Sequence, residues 1–156
     1  MSFISKNKHR SISHIFSAVF SKLNYLLNNI CFYIFTVLPI INEQIVFESE
    51  GDFCDNAYAL YDYMKKNNYF QKCKAIWLVD NLQRFQNLED TIFFSKNRRV
   101  LNIKLMYYLA RSKCILFDHN NPVLNLKKRK GQEIIYLSHG FGYKAKKAQE
   151  EMEKIH

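Results

Sequence analysis

A chain of 156 residues with a formal charge of +9 has room for one domain and an appendage, and its 48% apolar content with only two prolines excludes global disorder. Its four cysteines (Cys31, Cys54, Cys73, Cys114) are widely spaced without a CxxC pair, which excludes metal-finger spacing and a disulfide framework and fits reduced thiols in a cytoplasmic compartment. The charge is unevenly spread: Lys6, Lys8, Arg10 and Lys22 stand against no acid before Glu43, and the segment from Lys96 to Lys130 has Asp118 as its one acid. Such asymmetry implies an anionic partner, whether lipid headgroups, a phosphate-rich polymer, a nucleotide or a nucleic acid.

The amino-terminal segment, residues 1–41, carries Ile12, Ile15, Phe16, Val19, Phe20, Leu23, Leu26, Leu27 and Ile30 at steps of three and four. That is a helical stripe, with Ser13, Ser17, Ser21, Lys22, Asn24 and Asn28 expected on the face turned away from it. The reading is a basic amphipathic helix lying on the inner membrane surface; a membrane span or a helix packed on this protein's own core are the alternatives.

From residue 42 to 156 the pattern changes to short apolar strands between helical segments. Gln44 to Glu48, Lys74 to Val79, Thr91 to Phe94, Cys114 to Phe117 and Glu133 to Leu137 read as strands. Asp55 or Asn56 is placed to cap a helix whose stripe holds Ala59, Leu60, Tyr63 and Met64, and Lys104 to Arg111 reads as a second helix with Leu105, Tyr108 and Leu109 inward. Nearly continuous apolar strands alternating with helices point to βαβ units, hence an α/β fold with a Rossmann-like parallel sheet.

The last strand runs into Ser138-His139-Gly140. A histidine at the carboxyl end of a strand sits where open α/β sheets place their ligands, and imidazole is the side chain best suited to take a proton near neutral pH. Gly140 and Gly142 permit close backbone approach, and Lys144 opens a helical stretch. His119 is a second strand-end histidine within reach of the same cleft, with Asp118 as a candidate orienting partner; structural capping of the loop is the preferred reading. The basic run Lys127 to Lys130 reads as a turn.

These residues also resemble a known family. Ile45-Val46-Phe47-Glu48-Ser49, Asp55-Asn56, Ala75 to Val79, the helix Lys104 to Arg111, the strand Cys114 to Phe117 leading to Pro122, Leu126 to Gln132, and His139-Gly140 with Lys144 together resemble the amino-terminal half of the CDP-glycerol glycerophosphotransferases, which build or prime teichoic acid polymers. Ser138 stands where the family usually has Trp, and Phe141-Gly142 where it usually has Thr-Pro. The resemblance implies the first domain of a GT-B transferase, with the carboxyl-terminal donor-binding domain absent from the chain and activity lacking without it. It also implies His139 as catalytic base, and Asn56, Lys128, Arg129, Gly140, Gly142 and Lys144 as phosphate- or acceptor-binding residues. The partners implied are CDP-glycerol and a polyol-phosphate acceptor, together with an anionic membrane surface and a separate carboxyl-terminal domain. Neither metal nor cofactor is expected, nor nucleic acid. The competing reading is a non-catalytic basic module, apposed to the membrane, that holds an anionic polymer or a partner protein.

Overall fold

The computed structural model describes residues 3–85, 91–119 and 128–138, with side chains at 14 and from 16 onward within those ranges. Five strands form one parallel sheet: β1 (Ile41–Glu48), β2 (Lys74–Val79), β3 (Thr91–Ser95), β4 (Ser112–Phe117) and β5 (Glu133–Tyr136), in the order β3-β2-β1-β4-β5. Among the described residues three α-helices cover it: α1 (Phe3–Phe35), α2 (Asp55–Lys66) and α3 (Ile103–Arg111).

Successive residues of a strand point to opposite faces, so each central strand feeds two cores. Val46, Ile76, Leu78 and Ile115 pack with Leu105, Met106, Leu109 and Ala110 of α3 and Phe32 of α1. Phe47, Ala75, Trp77 and Leu116 turn the other way and pack with Ala57 and Tyr61 of α2. Helices on both faces are what two-faced apolar strands require, and the result is a Rossmann-like fold of the doubly wound kind. The aromatic-rich composition is spent largely on the α2 side, where Phe47 stacks on Trp77 and Phe53 lies edge-on to both Tyr61 and Trp77.

Two helical faces differ from the sequence expectation. In α2 the buried residues are Ala57 and Tyr61, with Leu60 and Met64 at the margin, while Ala59 and Tyr63 are exposed. In α1 the difference is larger. Asn24 and Asn28, expected on the outer face, are buried and form the docking surface, continued by Cys31, Phe32 and Phe35. Asn28 Nδ2 donates to the carbonyls of Arg98 (3.1 Å) and Val100 (2.9 Å), and its Oδ1 accepts from the Asn102 N–H (2.9 Å). Asn24 Nδ2 donates to Arg99 O at 2.9 Å. The α1 side chains thus satisfy a loop whose backbone has no strand to pair with. The apolar stripe faces outward instead: Phe16 is 72% exposed, Phe20 64% and Leu26 54%. No described helix is long and apolar enough to cross a membrane, so the spanning alternative fails for α1.

The amino edge of the sheet is closed by side chains that reach the end of α3. The last carbonyls of a helix lack intrahelical partners. Gln44 Nε2 donates to Tyr108 O, Gln132 Nε2 to Leu109 O and Arg129 Nη1 to Ala110 O, at 2.8–3.0 Å. Arg129 Nη2 also donates to Leu38 O at 2.9 Å, holding the entry to β1.

Candidate active site

The sheet order reverses between β1 and β4, and in open α/β sheets ligands bind beyond the carboxyl ends of the strands at that point. Here β1 ends at Glu48 and β4 at Phe117, paired in register, so Ser49, Asp118 and His119 emerge side by side.

Asp118 organises this edge. It is fully buried, its Oδ1 accepts from the Glu50 N–H and its Oδ2 from the Ala57 N–H, both at 3.1 Å. The residue before α2, Cys54, makes no side-chain cap, so a carboxylate from another strand caps the helix in place of the expected Asp55 or Asn56. Capping by an anion suits the positive end of the helix dipole. Asp118 is therefore committed to backbone N–H groups, and the carboxylate that meets His119 is a different one. His119 Nε2 lies 3.2 Å from Oε1 of Glu48, whose side chain is 1% exposed. Burial lowers the His119 pKa below the usual imidazole value and the Lys96 ammonium adds to this, while Asp118, Glu50 and Asp80 pull in the opposite direction.

Lys96, just beyond β3, gathers the turn after β1. Its Nζ donates to the carbonyls of Ser49 (2.8 Å), Gly51 (3.1 Å) and Glu50 (3.4 Å), and lies 3.5 Å from both Asp52 and Asp80. Asp52 in turn accepts from the N–H groups of Asp80 (2.6 Å) and Asn81 (2.8 Å) at the end of β2. Burial alone would raise the Asp52 carboxyl, but these two N–H donors and Lys96 bring it below the ordinary value. Within the same turn Phe53 (φ 55°) and Asp55 (φ 56°) occupy the left-handed region, which β-carbon-bearing residues adopt only when the surroundings impose it. Phe53 is held there by its ring, sunk among Tyr58, Tyr61, Trp77 and Phe93.

Asn56, in the first turn of α2, donates from Nδ2 to the carbonyl of Ser138 at 3.2 Å. Leu137 N donates to Phe117 O at 2.8 Å, extending the β4–β5 pairing by one residue. The chain directly before His139 is thereby tied to the carboxyl edge, beside the start of α2. His139, Gly140, Gly142 and Lys144 themselves lie outside the described residues. Arg129 lies at the opposite, amino edge, its guanidinium engaged by Ala110 O and Leu38 O, and the neighbouring Lys128 is exposed. Of the residues singled out in the sequence and lying within the described ranges, Asn56, His119 and Asp118 stand at the switch point, with Asp118 bound to backbone N–H groups and not to His119. Glu48, Lys96 and Asp52 were missed as a group. The available signal was positional: acids at and just past the carboxyl end of β1, and a lysine just past β3. Among the described residues no group of three or more His, Cys, Asp or Glu side chains is arranged to hold a metal ion.

Fold and edge together define a doubly wound α/β domain whose ligand edge lies at the β1/β4 switch point. Comparison with protein families matches residues 30–155 to CDP-glycerol:poly(glycerophosphate) glycerophosphotransferase, so the chain belongs to that family. Among solved structures it is similar to the wall teichoic acid polymerase TagF, with a TM-score of 0.54, 20% identity and 83% of this chain covered. A histidine variant of TagF, and the same variant soaked with CDPG, each give a TM-score of 0.58 at 19% identity. The chain spans about a third of the length of these structures, 32% in each case. A comparison with curated proteins found no match.

Proposed function

We propose that this chain is the acceptor-side part of a glycerophosphotransferase, acting in transfer of glycerol phosphate from CDP-glycerol to a polyol-phosphate polymer with release of CMP. Family membership over residues 30–155 supports the reaction class. The single observation that carries the site is the Asn56–Ser138 hydrogen bond, which fixes the backbone before His139 at the carboxyl edge. In this reading His139 takes the proton of an acceptor hydroxyl, the oxygen attacks the β-phosphorus of CDP-glycerol, and the bond to CMP breaks. Gly140, Gly142 and Lys144 supply N–H groups and a cation to the phosphates, a reaction that depends on positioning and charge neutralisation. The donor half comes from a second GT-B-type domain, and turnover requires it.

The exposed stripe of α1 favours a peripheral site on the cytoplasmic face of the plasma membrane. Phe16, Phe20, Leu23, Leu26 and Ile30 form an outward apolar row, and Lys6, Lys8, Arg10 and Lys22 are close in sequence. Such a row buries in the headgroup boundary while the cations favour anionic lipid.

The test is CMP release from CDP-glycerol with a polyol-phosphate acceptor, measured with the chain alone and with a separately expressed carboxyl-terminal family domain. Acceptor-dependent release from the pair, abolished by His139→Ala, is the expected result. No release from either mixture overturns the transferase reading in favour of a binding module.

A further inference from the structure

Lys96 has no part in the proton transfer assigned to His139, yet the ends of three strands meet at it. Its backbone N–H donates to Val79 O at 2.9 Å, which fixes the residue on the end of β2. From there the ammonium crosses to the turn after β1, donating to Ser49 O (2.8 Å) and Gly51 O (3.1 Å) and standing 3.5 Å from Asp52. Its side chain is 9% exposed. An ammonium has three donors and no acceptor, and its compact charge suits oxygens that converge on one point.

The turn it grips is tightly folded. A β-carbon at Gly51 would stand 2.7 Å from Cys54 Sγ, and Phe53 and Asp55 are held in the left-handed region. Ser49 Oγ ties the turn internally, donating to Gly51 O and accepting from the Cys54 N–H. Two groups outside the turn complete its hold: Lys96 takes its carbonyls, and Asp118 takes the N–H groups of Glu50 and Ala57. The turn runs directly into α2, whose Asn56 donates to Ser138 O at 3.2 Å. The place of Asn56, and of the backbone it holds, therefore follows from the place of the turn.

We propose that Lys96 is a positioning residue of the transferase: by holding the turn from Ser49 to Cys54 it sets the start of α2, and with it the point at which Asn56 fixes Ser138. This inference rests on the acceptor-side reading above, and its test separates the two. Without the ammonium the turn relaxes and Asn56 moves with it. In a reaction that depends on alignment, a misplacement of about 1 Å costs roughly a hundredfold in rate. Donor binding, which belongs to the other domain in that reading, is unaffected.

The test compares Lys96→Met with Gln44→Leu, which removes two hydrogen bonds, to Tyr108 O and Ser112 Oγ, at the opposite edge of the sheet. In nitrogen-15 NMR of the full chain, Lys96→Met moves the Asn56 side-chain amide and the Ser138 N–H, and Gln44→Leu moves neither. In CMP release by the chain paired with the carboxyl-terminal family domain, Lys96→Met lowers kcat roughly tenfold to a hundredfold and leaves KM for CDP-glycerol unchanged. Gln44→Leu leaves both constants as they are. Asp52→Asn keeps the shape of the partner carboxylate and moves the same signals by less, so the test stays decisive if Lys96→Met fails to fold. Unmoved Asn56 and Ser138 signals, or an unchanged kcat in a folded variant, overturn the proposal and leave the transferase reading standing. An equal fall in kcat for Gln44→Leu also overturns it, because the effect is then one of general stability. No release from the wild-type pair overturns the transferase reading and this proposal with it.

Discussion

Asp118 shows how one side chain does the work of a local motif. Its two oxygens satisfy the turn after β1 and the first turn of α2, a capping arrangement supplied from sixty-odd residues away. Asp118→Ala leaves two N–H groups without a partner in a buried setting, and the expected loss is about 2–4 kcal/mol, read from urea unfolding. Asp52 makes a second prediction, in pH. Its carboxyl lies below the ordinary value of 3.8 in the folded protein, so the unfolded chain binds the proton more tightly. The stability it contributes is complete above pH 3.8 and disappears as the pH falls through the depressed native value. Asp52→Asn is therefore expected to flatten the acid limb of the stability curve below about pH 4, while the curve near neutrality shifts without changing slope. Burial also pushes the Cys114 thiol up to about 11, so alkylation of Cys114 at pH 8 is expected to be slow in the folded chain and to become rapid in denaturant.

At the scale of elements, the five strands were legible in the sequence because two-faced burial writes itself as continuous apolar runs such as Ala75-Ile76-Trp77-Leu78-Val79. What was not legible depends on partners distant in sequence. Asn24 and Asn28 read as an outer polar face because periodicity records polarity but not the backbone carbonyls waiting at 98–100. For Arg129 the resemblance implied a phosphate- or acceptor-binding role, and nothing local in the sequence indicates that its guanidinium meets Ala110 O and Leu38 O. Glu48 was seen only as the end of a strand, and its pairing with His119 arises from the order of β1 and β4 in the sheet. The two faces of α1 give opposite expectations. Asn28→Ala removes three hydrogen bonds from a fully buried site and is expected to cost about 2–3 kcal/mol. Phe20→Ser, on the exposed face, is expected to change stability by less than about 0.5 kcal/mol but to reduce co-sedimentation with anionic lipid vesicles.

For the molecule as a whole, the two edges of the sheet have different tasks. The carboxyl edge gathers Glu48, Asp118, His119, Asn56 and the turn held by Lys96. The amino edge holds Gln44, Gln132 and Arg129, whose hydrogen bonds end on α3 and on the entry to β1. Arg129→Ala is accordingly expected to lower the unfolding midpoint, at a cost of about 1.5–3 kcal/mol, and to leave glycerol 3-phosphate binding unchanged. A loss of binding at unchanged stability would return Arg129 to the ligand side.

The carbonyls at the end of α3 have a consequence for how the protein breathes. Because α3 passes into β4 without an intervening loop, and because its last turn is sealed by residues from β1 and from the approach to β5, none of these three parts can fray alone. Hydrogen exchange in α3, β1, β4 and β5 should therefore report one shared opening event, with a single free energy for amides that are far apart in sequence. The carboxyl edge would then be free to adjust while the opposite edge keeps the strands in register.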